Sequence, residues 1–174
     1  QASPNNDFGN FQNATKTGRK FNDLNADGDD EGGADPGLAG WEIRAYRDAN
    51  NNNVIDQAEY DAGAAATATT VAGGGYSMSL APGKYIFVEV LQPTWAQSAP
   101  GGASVLAAGL MTPGVTLGSR GHVETLTSGQ ASPNNDFGNF QNATKTGTKF
   151  HDRNGDGVWD LDGADNILGN ADDE

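Results

Sequence analysis

Residues 48–59 read Asp-Ala-Asn-Asn-Asn-Asn-Val-Ile-Asp-Gln-Ala-Glu. Oxygen-bearing side chains stand at its positions 1, 3, 5, 9 and 12. This is the ligand order of an EF-hand calcium loop, in which position 7 gives its carbonyl and a Glu closes the shell. An Asn-rich surface turn would not place three acids on the charged positions. The pattern therefore predicts Ca²⁺ bound by Asp48, Asn50, Asn52, Val54, Asp56 and Glu59.

Two further stretches carry the same order of side chains. The stretch that begins at Asp23, the first loop, has an additional acid just beyond position 12. The stretch that begins at Asp152 is the third loop, and residues 48–59 are the central loop. Three such loops in one chain are much less expected by chance than one. The ligands predicted for the first are Asp23, Asn25, Asp27, Asp29, Glu31 and Asp35. Those predicted for the third loop are Asp152, Asn154, Asp156, Val158, Asp160 and Asp165.

Composition and charge exclude several classes of function. The 174 residues carry 23 acids against 10 bases, a net charge of −13, and no basic stripe that could neutralise nucleic-acid phosphates. Most of the acids lie in the three loops, where they would repel one another without bound cations. Without Cys there is no disulfide frame and no thiolate metal site. The Gly-, Asn- and Thr-rich acidic composition favours an extracellular bacterial surface protein, and no membrane-inserting segment is predicted.

An internal repeat sets the domain organisation. Residues 1–18 recur unchanged as residues 130–147, which indicates a recent tandem duplication with a period of 129 residues. We therefore expect residues 1–13 to be the last strand of a preceding repeat and residues 14–142 to be one complete domain. Residues 143–174 would supply the first strand and calcium loop of the next repeat. The expected partners are thus neighbouring repeats or subunits of the same protein.

Short alternating apolar runs between Gly- and Pro-rich turns predict an all-β fold. Residues 84–91 form the most apolar run, and residues 92–120 read as loop with one irregular strand. No stretch has a convincing helical period, so about seven strands in a β-sandwich are expected. The predicted strands cover residues 17–21, 41–46, 68–71, 76–80, 84–91, 121–128 and 136–140, with a further short strand at residues 5–11.

Several ordered motifs together resemble a known family. They include Lys-Phe-Asn-Asp at residues 20–23, Pro-Gly-Leu at residues 36–38, Gly-Tyr-Ser at residues 75–77 and Asp-Phe-Gly-Asn at residues 136–139. This set resembles the SdrD B-like domain, the calcium-binding B repeat of serine-aspartate-repeat adhesins, which is related to the Cna B-type immunoglobulin-like sandwich. The resemblance implies a non-enzymatic, calcium-stiffened stalk module, with Asp35 in the slot where the family usually has Glu.

The same resemblance raises the question of an internal cross-link. Some Cna B-type relatives join a first-strand Lys to a last-strand Asn beside a buried acid, and Lys20, Asn139 and Glu89 stand in comparable elements. Glu89 shares its strand face with two aromatic residues, but Lys20 is next to Phe21, which is expected to face inward. The alternation therefore favours a solvated Lys20 over an isopeptide bond.

Catalysis and self-assembly are also to be weighed against a passive stalk. His122 and His151 lack a neighbouring nucleophile or paired carboxylates, so both are expected at the surface and no enzymatic activity is predicted. A self-assembling filament is an alternative to the stalk, because the duplicated last strand at residues 1–13 could pair with a neighbouring subunit by strand exchange.

Overall fold

The computed structural model describes residues 7–152 together with residues 155 and 157. These residues confirm the all-β sandwich, with nine strands where about seven were expected. Contacts divide the chain into two units, Gln1–Asn142 and Ala143–Glu174. The elements of the first unit are β1 (Ala14–Asn22), β2 (Glu42–Arg47), α1 (Gln57–Asp61), β3 (Ala66–Thr69), β4 (Gly75–Leu80), β5 (Gly83–Glu89), β6 (Trp95–Ala99), β7 (His122–Leu126), β8 (Ala131–Ser132) and β9 (Phe137–Gln141).

The strands form two sheets. One has the order β4-β1-β9-β6, with the short β8 also paired to β1, and the other has the order β3-β2-β5-β7. Strand β9 lies parallel to β1, with Asn139 opposite Asn22, and antiparallel to β6. The first and last strands of the unit are therefore neighbours in the middle of one sheet.

Strand β5 is buried on both of its faces. Tyr85 and Phe87 belong to the core between the sheets, whereas Ile86 and Val88 pack under the segments that cover the outer face of the second sheet. Because neither face meets water, every position can be apolar and the usual alternation disappears. This explains why residues 84–91 form the most apolar run of the sequence.

The face of strand β1 that packs against the core is the opposite of the one that the sequence predicted. Ala14, Lys16 and Lys20 are all buried, with Ala14 in the core between the sheets. Phe21 is also buried, but on the other face, where its ring lies against Gly138. The expectation of a solvated Lys20 is therefore wrong. It took Phe21 as the inward residue, although that side chain is covered from outside the sandwich.

Three further differences concern secondary structure. Residues 57–61 form a helix because Asp56 caps it and Glu59 completes a capping box, a signal independent of helical periodicity. The irregular strand expected within residues 92–120 is β6, at the start of that region. Of the short strand expected at residues 5–11, the described residues 7–11 lie outside any strand.

The duplicated segment has two different environments within the described chain. Phe137 in β9 is fully buried, whereas the equivalent Phe8 is 92% exposed and Phe11 is 62% exposed. The two segments have the same sequence, so the difference arises from the cleft that receives β9 and not from intrinsic strand propensity.

We expect these two phenylalanines to differ sharply on substitution. Phe137→Ala removes a fully buried ring and should lower the free energy of unfolding by about 3–5 kcal/mol. Phe8→Ala, in the same local sequence, should change it by no more than about 0.5 kcal/mol. Urea unfolding of the full chain measures both, and equal effects would contradict the assignment of the core.

Candidate functional site

Three strands bring a lysine, a glutamate and an asparagine into contact between the sheets. Lys20 of β1 lies with its Nζ 3.0 Å from Oε2 of Glu89 at the end of β5. The same Nζ donates a hydrogen bond to Oδ1 of Asn139 in β9. All three residues have no exposed surface. The three side chains that the Cna B-type resemblance pointed to are therefore buried together.

The surroundings of the triad exclude water. The indole of Trp41 lies over the lysine, with Lys20 Nζ 4.3 Å from its ring centroid, and Trp95 packs edge-on against Trp41. Lys20 also donates to the carbonyl oxygen of Phe137 at 3.2 Å. A cation over an indole face is attracted by the ring quadrupole, which compensates part of the lost hydration.

Burial shifts both titrating groups of the triad toward their neutral forms. Loss of hydration lowers the pKa of Lys20 to about 8, although the adjacent Glu89 opposes the shift. Loss of hydration likewise raises the pKa of Glu89, with Lys20 acting against it. The amide nitrogen of Asn139 is buried without a hydrogen-bond partner. Burial thus makes a neutral amine and a protonated carboxyl easier to reach, and both groups lie next to a primary amide.

This arrangement has the components needed for acyl transfer. A neutral Lys20 amine is a nucleophile, and the side-chain carbonyl of Asn139 is the adjacent electrophile. A protonated Glu89 can act as the general acid and base that moves a proton from the attacking amine to the departing nitrogen. Burial also keeps competing water away from the carbonyl.

A second buried lysine lies on the same face of β1. Lys16 Nζ contacts Glu124 of β7 at 3.0 Å and donates to Ser132 Oγ at 3.1 Å and to the Pro133 carbonyl at 3.2 Å. All of its protons therefore have acceptors, and no side-chain amide is among the partners. This pair joins the two sheets, and the alternation pattern missed it for the same reason that it missed Lys20.

The three predicted calcium loops have a common backbone path where they are described. Positions 4 and 6 have positive φ in each loop: Ala26 and Gly28, Asn51 and Asn53, Gly155 and Gly157. In each loop the position 6 N–H donates to the position 1 carboxylate: Gly28 to Asp23 at 2.9 Å, Asn53 to Asp48 at 3.1 Å, and Gly157 to Asp152 at 2.7 Å. The sequence pattern thus corresponds to one recurring turn structure.

The first loop contains a buried carboxylate oxygen with no partner. Asp23 is fully buried, and its Oδ1 accepts no hydrogen bond, which is costly for a charged oxygen. Asp35 folds back into the loop and accepts from the backbone of Leu24 and Glu31. Contact between the carboxyls of Glu31 and Asp35 raises the pKa of Glu31 and lowers that of Asp35. A carboxylate oxygen that accepts no hydrogen bond is the kind of ligand that a hard cation such as Ca²⁺ binds.

The central loop is already supplied with a cation from the protein. Lys84 Nζ lies 2.8 Å from Asp48 Oδ2, and the Glu59 carboxylate accepts from Ala49 N at 2.7 Å. Although burial acts against it, the contact with Lys84 lowers the pKa of Asp48. Within the described residues, no three acidic or histidine side chains converge into a ready-made metal cage. The unpaired oxygen of Asp23 makes the first loop the better candidate for a metal.

The remaining predicted residues are placed as follows. In the third loop, Asn154, Asp156, Val158, Asp160 and Asp165 lie outside the described residues. His151 is exposed as expected, whereas His122 is partly buried, edge-on to the Phe137 ring at 5.1 Å. Among the described residues, no helix has the length and apolar character needed to span a bilayer.

Comparisons with known proteins give only partial structural similarity. No family model and no curated protein matches the sequence. The shaft pilin SpaA from Lactobacillus rhamnosus GG aligns with 77% of this chain and 51% of the pilin, at 17% identity and a TM-score of 0.42. The major pilin SpaD from Corynebacterium diphtheriae aligns with 80% of this chain and 34% of the pilin, at 16% identity and a TM-score of 0.36. The chain thus spans about half or less of the length of these pilins.

Proposed function

We propose that this chain is a structural repeat of a bacterial extracellular stalk, locked internally by an amide bond between Lys20 and Asn139. The observation that carries the proposal is the fully buried contact of the Lys20 amine with the Asn139 side chain and the Glu89 carboxylate. A buried ammonium serves no catalytic turnover here, because no substrate can reach it. A single intramolecular reaction is the chemistry that suits an enclosed site.

The proposed reaction is balanced within the triad. The neutral Lys20 amine attacks Cγ of Asn139, and Glu89 transfers a proton from the amine to the amide nitrogen. The original C–N bond breaks, ammonia leaves, and a new amide joins Nζ to Cγ. No oxidant or cofactor is needed. The product ties the first strand to the last across a sequence separation of 119 residues.

Calcium binding is a second component of the proposed function. It is supported by the shared turn structure of the three loops and by the unpartnered Asp23 oxygen. The residues that would hold the ion in the first loop are Asp23, Asn25, Asp27, Glu31 and Asp35. Bound Ca²⁺ would add positive charge to a loop whose acids outnumber the one arginine, Arg19, that pairs with Asp30, and would stabilise the folded unit by binding linkage.

The cross-link predicts a mass deficit in the intact protein. The wild-type chain should weigh about 17 Da less than its sequence, by loss of one ammonia. Lys20→Met, Glu89→Gln and Asn139→Ala should each restore the full mass. The free energy of unfolding of each variant should fall by about 4–5 kcal/mol, which is the stabilisation expected from a cross-link that closes a loop of roughly 100 residues. A folded wild-type chain of full sequence mass contradicts the cross-link.

The rate of cross-linking should fall at alkaline pH. With the Lys20 pKa lowered to about 8, the Lys20–Glu89 pair holds one proton below that pH and loses it above. Only the one-proton pair can combine a neutral amine with a protonated carboxyl. Refolding followed by intact mass should therefore show a rate that decreases about tenfold per pH unit above pH 8. A rate that keeps rising to pH 10 would show that no protonated acid is required.

The calcium proposal predicts that chelation lowers thermal stability through the first loop. Saturating Ca²⁺ should raise the melting temperature by several degrees, since 100-fold excess over Kd contributes about 2.7 kcal/mol. Asp23→Asn should abolish most of this shift without destabilising the chelated protein, because it removes a buried unpaired charge. Asp29→Asn is the matched control, since position 7 contributes its carbonyl. An unchanged melting temperature on chelation of the wild type would contradict calcium stabilisation.

A further inference from the structure

The backbone of the first loop is hydrogen-bonded to both residues of the proposed reaction. At the start of the loop, the Asp23 N–H donates to the backbone carbonyl of Asn139 at 2.9 Å. Just beyond its end, the Leu38 N–H donates to the backbone carbonyl of Lys20, also at 2.9 Å. A shift of the loop would therefore displace the nucleophile, the electrophile or both.

The segment that follows the first loop lies beside the end of β1. Residues 36–38 run antiparallel to residues 20–22, and the Asn22 N–H donates to the Pro36 carbonyl at 2.8 Å. On their other side, residues 20–22 pair in parallel with β9. The end of β1 that takes part in the reaction is thus held between β9 and the segment that closes the loop.

Two carboxylates join the parts of the first loop to one another. Asp35 accepts hydrogen bonds from the Leu24 N–H at 3.1 Å and from the Glu31 N–H at 3.3 Å. Asp23 accepts from the Gly28 N–H through Oδ2, whereas its Oδ1 is buried without a hydrogen-bond partner. A cation ligated by that oxygen would remove the cost of an unpaired buried charge, and so would favour the closed loop.

The central loop is bonded to other parts of the fold. Its Asp48 N–H donates to the Lys84 carbonyl at 3.0 Å, and its Ile55 N–H donates to the Val105 carbonyl at 2.7 Å. These bonds reach neither of the two reacting residues. A cation in the central loop would therefore have no direct effect on the alignment of β1 with β9.

We propose that Asp23 is a positioning residue for the Lys20–Asn139 reaction, and that Ca²⁺ at the first loop accelerates this reaction by fixing β1 against β9. This inference rests on both parts of the proposed function. The effect passes through the backbone: the closed loop holds the Lys20 amine and the Asn139 side-chain carbonyl at attack distance. Because a misplacement of about 1 Å can cost about 100-fold in rate, the order of the loop is sufficient to control the reaction.

The rate of cross-linking in newly made chains tests the proposal. The full chain is synthesised in a cell-free system with either Ca²⁺ or EGTA, which leaves Mg²⁺ for translation, and its intact mass is followed with time. We expect ammonia to be lost about tenfold faster with Ca²⁺. Equal rates in the two conditions would contradict the proposal.

Two matched substitutions locate the effect in the first loop. Asp23→Asn keeps the backbone N–H that bonds Asn139 but removes the unpaired carboxylate, so its cross-linking rate should no longer depend on Ca²⁺. Asp61→Asn changes an exposed acid of α1 outside the three loops and should keep the full dependence. A rate that remains calcium-dependent in Asp23→Asn would overturn the positioning role of Asp23.

Amide hydrogen exchange gives a second readout that does not depend on the reaction. Glu89→Gln should remain without the cross-link, and the cross-linked wild type serves in its place if this variant does not fold. The Asp23 and Leu38 amides should exchange about tenfold more slowly when Ca²⁺ is in tenfold excess over Kd, because binding opposes opening of the loop. Unchanged exchange of both amides in a protein that binds Ca²⁺ would overturn the inference.

Three outcomes separate this inference from the proposals on which it rests. A wild-type chain of full sequence mass, with or without Ca²⁺, overturns the cross-link and this inference together. A cross-linked chain whose melting temperature and amide exchange do not respond to Ca²⁺ overturns calcium binding and this inference together. A chain that binds Ca²⁺ and forms the cross-link equally fast with Ca²⁺ and with EGTA overturns the positioning role of the first loop alone.

Discussion

The fold depends on a lysine ammonium held between two β-sheets with no access to water. Removing an ammonium and a carboxylate from water costs several kcal/mol each, and their attraction compensates only when the geometry is good and the other polar atoms are paired. At the Lys20–Glu89 contact that pairing is incomplete, since the amide nitrogen of Asn139 has no acceptor. Without a covalent bond, a site of this kind lowers the stability of the folded state. An amide bond between Lys20 and Asn139 would remove the lysine charge and its nucleophilic amine, and with them the free-energy cost of burying that charge.

The topology explains why these three residues meet. Parallel pairing of β1 with β9 places the first and last strands side by side, and β5 of the facing sheet lies across from them. A bond from β1 to β9 would therefore enclose nearly the whole unit. The acids of the loops would repel one another without cations, whereas Ile55 of the central loop packs into a buried apolar cluster. In the central loop Lys84 already neutralises part of that charge, whereas Asp23 in the first loop has an oxygen without a partner.

Much of this structure could be predicted from local sequence patterns. Alternating apolar runs indicated the sandwich and most of the strands, and the ligand spacing identified loops that share one backbone path. The faces of β1 could not be predicted in this way. The inward positions of that strand carry two lysines, and the neighbouring Phe21 is buried from the other side, so simple alternation chose the wrong face. Burial of Lys16 and Lys20 depends on acids supplied by β7 and β5, which are distant in sequence.

The duplicated segment shows the same limit of local information. Identical residues form a buried strand in β9 and an exposed segment at residues 7–11, where no other strand of this unit pairs with them. Strand propensity is equal in the two copies, so the tertiary surroundings decide which of them becomes a strand.

Peptide mapping of the folded wild-type protein tests the central claim most directly. After denaturation and trypsin digestion, the account predicts a branched peptide in which Lys20 is joined to Asn139, with no cleavage after Lys20. Recovery of a linear peptide containing an unmodified Asn139, together with complete cleavage after Lys20, would contradict it.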